Sequence, residues 1–213
     1  NAQGRKKHAG DAIFVDVNND GQLDSKDMKF MGYIRPDKVG GIVNSFKYKG
    51  LTVRVVMDWA MGHVIDNGFK GQIMGSSRNN NNAIKDAMTN SWQSANDGTK
   101  YPKYTVQSDY DYQYRNHMRW DNQIGSSESG STNNSLYFSK GDYLAFREVS
   151  LSYMLPSTWV RKIRLSGVEV FAGAYNIGYI KKYDGMFPEI YTGVDYGVYP
   201  RPRQYNMGVK INF

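Results

Sequence analysis

Residues 203–213, RQYNMGVKINF, alternate in character up to the last position. Tyr205, Met207, Val209, Ile211 and Phe213 fall on one side of an extended chain, and Gln204, Asn206, Gly208, Lys210 and Asn212 on the other. Period-two alternation predicts a β-strand with one apolar and one polar face. A strand at a chain end needs a tether, because termini fray unless they are paired. Two architectures supply one: a half-buried strand of a water-soluble β-domain, or a strand of a membrane barrel whose apolar face meets lipid.

Working outward, the same alternation recurs. VGGIVNSFKY (39–48) and LTVRVVMDWAMG (51–62) are joined at Lys49–Gly50, which predicts a hairpin. In the second run Leu51, Val53, Val55, Met57, Trp59 and Met61 alternate with Thr52, Arg54, Val56, Asp58, Ala60 and Gly62. YLAFREVSLSYML (143–155) is a further strand whose phase slips near Arg147, the mark of a bulge. PSTWVRKI (156–163) reads as a short helix or turn, and VEVFAGAYNI (168–177) as the next strand. With the terminal run, five strands are expected.

Between Asp66 and about Asn134 the chain is rich in Gly, Asn and Ser, including a run from Asn79 to Asn82. AIKDAMTNSWQ (83–93) predicts a short helix with Ala83, Ala87 and Ser91 on one stripe. So long a segment with little regular structure argues against a compact soluble domain. Long extracellular loops are the rule in outer-membrane barrels. Five strands in an open sheet also leave unpaired edges, which further strands of a barrel would satisfy.

Composition agrees with this expectation. Only 40% of the residues are hydrophobic and the mean hydropathy is -0.63. No run approaches the roughly 18–20 apolar residues of a membrane-spanning helix, whereas barrel strands need only about 9–11 residues of alternating character. The net charge of +7 comes from Lys and Arg spread along the chain, not gathered into the basic footprint of a nucleic-acid binder. With no Cys there is no disulfide framework, thiolate metal site or cysteine nucleophile. The opening NAQGRKKHAGD has neither an initiator Met nor a signal peptide, and reads as the interior of a longer chain.

One motif carries metal chemistry. DVNNDGQLDSKD places Asp16, Asn18, Asp20, Gln22, Asp24 and Asp27 at positions 1, 3, 5, 7, 9 and 12 of an EF-hand-type loop, with Gly21 at position 6. Calcium takes six to eight oxygen ligands, and this spacing wraps carboxylates and a carbonyl around one ion. Asp27 stands where the pattern has a bidentate Glu, and AIFV before the loop reads as strand where an EF-hand has helix. The alternative is a metal-free turn rich in Asp, Asn and Gly.

Other chemistry is sparse. The sequence holds no GxSxG, Walker loop, GxGxxG or HExxH, so no enzyme is expected. His8, His63 and His117 are far apart and read as surface or interface residues. In YTVQSDYDYQYRNHMRW (104–120), Tyr110, Tyr112, Tyr114 and Trp120 could stack on sugar rings or pack on one another, while Asp109 and Asp111, with Asp121 just after the stretch, read as a solvated face.

Several stretches resemble the C-terminal part of SusC-like TonB-dependent outer-membrane transporters. They are GDAIFVDVNNDGQLDSKD, SWQSANDGTKYPKY, KGDYLAFREVSLSYMLPSTWVRKI, VEVFAGAYNI with the following KKYDGMFPE, and YPRPRQYNMGVKINF. Their order also fits, and the Asn-rich middle matches least. The resemblance implies an all-β fold: the C-terminal portion of a large antiparallel transmembrane β-barrel of about 22 strands with long extracellular loops. It implies a SusD-like surface lipoprotein as lid, energy from the TonB complex through an N-terminal part absent here, and oligosaccharide or peptide cargo. On this reading residues 1–38 form an extracellular loop with the calcium motif, 39–62 a barrel hairpin, 63–142 a long Asn/Ser/Tyr-rich extracellular region, and 143–213 the last strands. Val55 and Val209 would face outer-membrane lipid, and Arg54 and Lys210 the lumen. Tyr205, Met207, Val209, Ile211 and Phe213 would form the barrel-closing signal. The alternative function is a secreted, calcium-stabilised β-sandwich that binds carbohydrate.

Overall fold

The computed structural model describes residues 8–21, 25–74, 76–77, 85–99, 101–106 and 135–213. The chain divides into two compact units, one built from residues 1–34, 64–139 and 190–198, the other from 35–63, 140–189 and 199–213.

The second unit is a single five-stranded antiparallel sheet. Its strands are β1 (Lys38–Tyr48), β2 (Leu51–Met61), β7 (Tyr143–Met154), β8 (Gly167–Lys181) and β9 (Gln204–Asn212), hydrogen-bonded in that order. These are the five alternating runs of the sequence. Lys49 and Gly50 both take positive φ, 44° and 87°, the backbone of a two-residue hairpin whose twist matches that of its strands.

Cross-strand pairs share a face, so the register sorts the side chains. Val53 lies opposite Phe46 and Leu151, and Val55 opposite Val149. Leu151 in turn faces Ala172, which faces Met207, and Val170 faces Val209. One face is therefore largely apolar across all five strands, with Asn44 opposite Val55 within it. The other carries Arg54 opposite Ser150, Asp58 opposite Ala145, and Glu169 opposite Lys210.

The bulge foreseen at Arg147 is present, and it widens from strand to strand. From Met57 to Val55 the β2 chain takes two steps, matched by three on β7 (Phe146 to Val149) and four on β8 (Gly178 to Ala174). The additional β8 residue is accommodated by Asn176 at φ 51°. Such local excess kinks a sheet and re-aims the side chain at its centre. Here that side chain is Arg147.

Between β7 and β8, helix α3 (Ser157–Val160) and a 3-10 turn (Arg161–Ile163) fill the predicted short helical stretch. The strands of this unit form one sheet, with no second sheet in it to make the sandwich of the alternative reading. The outer edges of β1 and β9 have no strand partner among the described residues.

The first unit holds short elements: β3 (Val64–Asp66) with β6 (Phe138–Lys140), helix α1 (Gly68–Met74), the parallel pair β4 (Ser76–Ser77) and β5 (Thr105–Val106), and helix α2 (Lys85–Thr89). Ala87 of α2 packs with Tyr101 and Tyr137, and Ser91 is buried one turn on; Ala83, the third residue of the predicted stripe, lies outside the described residues. Residues 190–198 are stitched to the β3–α1 junction: Asp66 N–H donates to Gly193 O at 2.9 Å, and Asp195 N–H to Asp66 O at 2.8 Å. One expectation fails. Among the described residues AIFV is not assigned to a strand, and Ile13 and Val15 are exposed. Alternation alone does not make a ladder, which is what defines a strand.

Among the described residues no helix is long and apolar enough to cross a membrane, which says nothing of crossing by strands.

Candidate functional site

The polar face of the sheet is the chemically distinctive surface, and its centre is Arg147. The bulge brings its guanidinium to Asp58 on β2, where Nη2 donates to Oδ2 at 2.7 Å and Nε to Oδ1. Arg147 also pairs with Glu189 and donates to the Tyr179 hydroxyl at 3.2 Å. Tyr179 donates onward to Glu189 at 2.7 Å, and Arg201 approaches the second Glu189 oxygen at 3.4 Å.

The Glu189 side chain is only 1% exposed. A carboxylate so buried persists only with paired cations and hydrogen bonds, which these partners supply. The network also has a topological effect. Glu189 lies on the limb leaving β8 and Arg201 on the limb returning to β9, so the ion pairs staple both ends of that connection to the bulge in β7. Tyr183 and Phe187 bury their rings beside it, Phe187 edge-on to Tyr179 at 5.8 Å. The rest of the face carries lighter pairs. Arg54 meets Glu148 at 3.4 Å, and Ser150 donates to Glu148 at 2.8 Å. Arg54 and Lys210 thus lie on the polar face, and Val55 and Val209 on the apolar one.

At the far end of β2, His63 is buried against Gly141, which leaves no space there for a side chain. The expected surface position is therefore corrected for His63: the glycine opens a slot that the ring fills. Burial lowers its pKa, opposed by the Asp142 charge. Burial works to raise Asp142, but the Gly62 N–H at 2.7 Å and the Lys182 ammonium at 3.0 Å outweigh it, and its pKa is lowered. His8 is exposed, and His117 lies outside the described residues.

In the acidic loop, Asp16 accepts the N–H groups of Asp20 (3.3 Å) and Gly21 (2.8 Å), and Asn18 Oδ1 accepts Asp20 N–H at 3.1 Å. Asp27, buried, accepts Val17 N–H at 2.8 Å. Asn19 and Gly21 take positive φ, so the tight turn forms as the spacing anticipates. Gln22 and Asp24 lie outside the described residues, and among those described no three His, Cys, Asp or Glu gather closely enough to hold a metal ion. Tyr110, Tyr112, Tyr114 and Trp120 also lie outside the described residues. Tyr205, Met207, Val209 and Ile211 line the apolar side of β9, and Phe213 follows it, exposed.

Sequence reasoning missed the Arg147 network. Arg147 and Asp58 are separated by 89 positions. The one available signal was the phase slip at Arg147, which marked a bulge without saying what it aimed at.

No family model matches the chain. It is 25% identical over 216 residues to TonB-dependent receptor P3 of Formosa agariphila, covering 96% of this chain and 19% of that protein. TonB-dependent receptor P39 of the same organism is 24% identical, with the same coverage. TonB-dependent receptor SusC of Bacteroides thetaiotaomicron is 22% identical over 94% of this chain and 17% of its own length. The chain thus spans about a fifth of the length of these relatives. In fold it is similar to a chain of the RagAB peptide transporter, with a TM-score of 0.66 at 20% identity over 90% of this chain and 19% of that one. The RagAB peptide importer in its open-open state gives a TM-score of 0.61 at 22% identity, over 87% and 18% of the two chains. The resemblance read from the motifs is thus matched along nearly the whole chain by similarity to TonB-dependent receptors, SusC among them.

Proposed function

We propose that this chain forms part of the barrel wall of a nutrient importer. The observation that carries the reading is the sheet itself: strands of 9 to 15 residues, one face apolar and open, the other lined with paired charges. An apolar sheet face this broad has no place in water, and lipid is its natural cover. The polar face then lines the lumen, and the open edges of β1 and β9 pair with strands of the rest of the barrel, β9 acting as its closing strand. The chain's role is passage, not catalysis. Cargo is an oligosaccharide or a peptide; similarity to SusC and to a peptide transporter supports this class without choosing within it. A SusD-like lipoprotein would capture the cargo, and the TonB complex would supply the energy.

Uptake of labelled oligomeric cargo by cells expressing the full-length protein should stop when the TonB complex is inactivated, and a surface lipoprotein should co-purify. Recovery of the full-length protein from the water-soluble fraction without detergent would refute the reading.

Calcium in the Asp16–Asp27 loop is a second part of the proposal, with a rigidifying role. Asp16 and Asp27 accept backbone N–H groups and Asp20 accepts the Asn18 side-chain amide at 2.9 Å, so calcium would have to displace some of these contacts and draw on Gln22 and Asp24 as well. Calorimetry on the full-length protein should show a calcium-binding signal that Asp20→Ala weakens about tenfold or more, as loss of a charged ligand requires. A flat wild-type titration would leave the metal-free turn as the correct description.

A further inference from the structure

The two tight connections of the sheet, β1–β2 and β7–β8, lie at the same end: Met154 N–H donates to Gly50 O at 2.8 Å, joining them directly. The long connections leave from the opposite end. The β7–β8 turn is held firmly. Val160 is 2% exposed, Leu165 N–H donates to Val160 O at 3.3 Å, and Ser166 N–H donates to Asn212 O at 2.8 Å. Burying Val160 forces its neighbours outward: Trp159 is 62% exposed and Ile163 65%. An ordered turn that presents a tryptophan and an isoleucine to the outside is expected to bury them against something.

The charge around these side chains has one sign. Arg161, Lys162 and Arg164 on this turn and Lys49 on the neighbouring one are all exposed, and among the described residues none is in an ion pair. No Asp or Glu occurs from residue 45 to 57 or from 149 to 168. The nearest acid in sequence, Glu169, faces Lys210 across the β8–β9 register. Apolar and aromatic side chains at the rim of a broad apolar face, ringed by uncompensated cations, complement a bilayer interface whose headgroups are negative.

We propose that the short-turn end of this sheet docks onto the headgroups of anionic phospholipids. The inference rests on the barrel reading above and extends it to the lipid class at one rim. Arg161, Lys162 and Arg164 bind the phosphates and acidic headgroups, while Trp159 and Ile163 enter the interface beside them.

The test uses the full-length protein inserted into bilayer discs of phosphatidylcholine with and without phosphatidylglycerol. The readout is the phosphatidylglycerol enriched in the lipid that stays with the protein after transfer to detergent. The wild type should enrich it above the bulk fraction. R161Q/K162Q/R164Q should lower the apparent affinity at least tenfold, since each base near an anionic surface contributes about fivefold. R35Q/K38Q, at the opposite end, should leave the enrichment unchanged. Should the triple variant fail to assemble, the wild type still decides: brominated phosphatidylglycerol should quench the emission lost in Trp159→Phe more strongly than brominated phosphatidylcholine. Insertion without any preference for phosphatidylglycerol, enrichment untouched by the triple variant, or equal loss in both variants overturns the inference alone. Binding of inorganic phosphate without lipid preference overturns it as well. A protein that enters no bilayer overturns the barrel reading and this inference together.

Discussion

Replacing Arg147 with alanine is expected to cost about 3–5 kcal/mol of stability, the usual penalty for removing one partner from a buried ion network. Asp58 loses a two-pronged partner, and Glu189, its side chain 1% exposed, loses the Arg147 cation while the Tyr179 hydroxyl and the longer Arg201 contact remain. The buried Glu189 carboxylate bears most of that loss, because the Asp58 side chain is 33% exposed and water can partly replace its partner. Arg147→Lys keeps the charge but not the planar fork that reaches Asp58 and Glu189 together, so an intermediate loss is expected. Because Glu189 and Arg201 hold the two limbs between β8 and β9, Arg147→Ala should also make residues 182–203 the first site of proteolysis. Denaturant resistance of the assembled full-length protein, with limited proteolysis alongside, measures both effects. Unchanged resistance in Arg147→Ala would mean that the network is ornamental.

The second large effect concerns the faces. Val55→Arg should destabilise the assembled protein by about 2–4 kcal/mol, the cost of a cation on the lipid side of a barrel near the midplane. Val55 pairs with Val149 midway along the apolar face, far from either strand end where a long side chain could reach the headgroups. One position earlier the result should be nearly silent. Arg54 contacts Glu148 at 3.4 Å with its side chain 44% exposed, and an ion pair this accessible contributes about 0–1 kcal/mol. Arg54→Gln should therefore leave outer-membrane abundance close to that of the wild type, while Val55→Arg depletes it.

The sheet was legible because its signal is local. Period-two alternation needs no knowledge of partners, and Lys49–Gly50 carries its own turn chemistry, so each of the five strands and the hairpin could be read directly. The bulge was legible for the same reason, as a slip in phase along a single strand. What escaped depends on more than one strand. That β8 adds a further residue opposite Arg147 follows only from the register, with Asn176 in a left-handed conformation that many loop residues also adopt. The pairing of Arg147 with Asp58 and Glu189 joins residues remote in sequence, and charges in a polar strand look alike whether paired or solvated. His63 looked like a surface residue because the slot that buries it is made by Gly141, on another segment. AIFV shows the converse: a local strand signal that is not realised as a strand among the described residues. In the acidic loop, spacing anticipated the turn, yet the same spacing serves a metal and a set of backbone N–H groups equally well.

The central claim is that the apolar face of this sheet meets lipid while its polar face lines a water-filled lumen. The chain contains no Cys, so single cysteines at positions 54, 55, 209 and 210 can each carry a fluorophore without competing labels in this chain. In the full-length protein inserted in bilayers, a lipid-soluble quencher should reach the labels at 55 and 209, and a water-soluble quencher those at 54 and 210. Labels that respond alike at neighbouring positions, or with the opposite phase, would contradict the account.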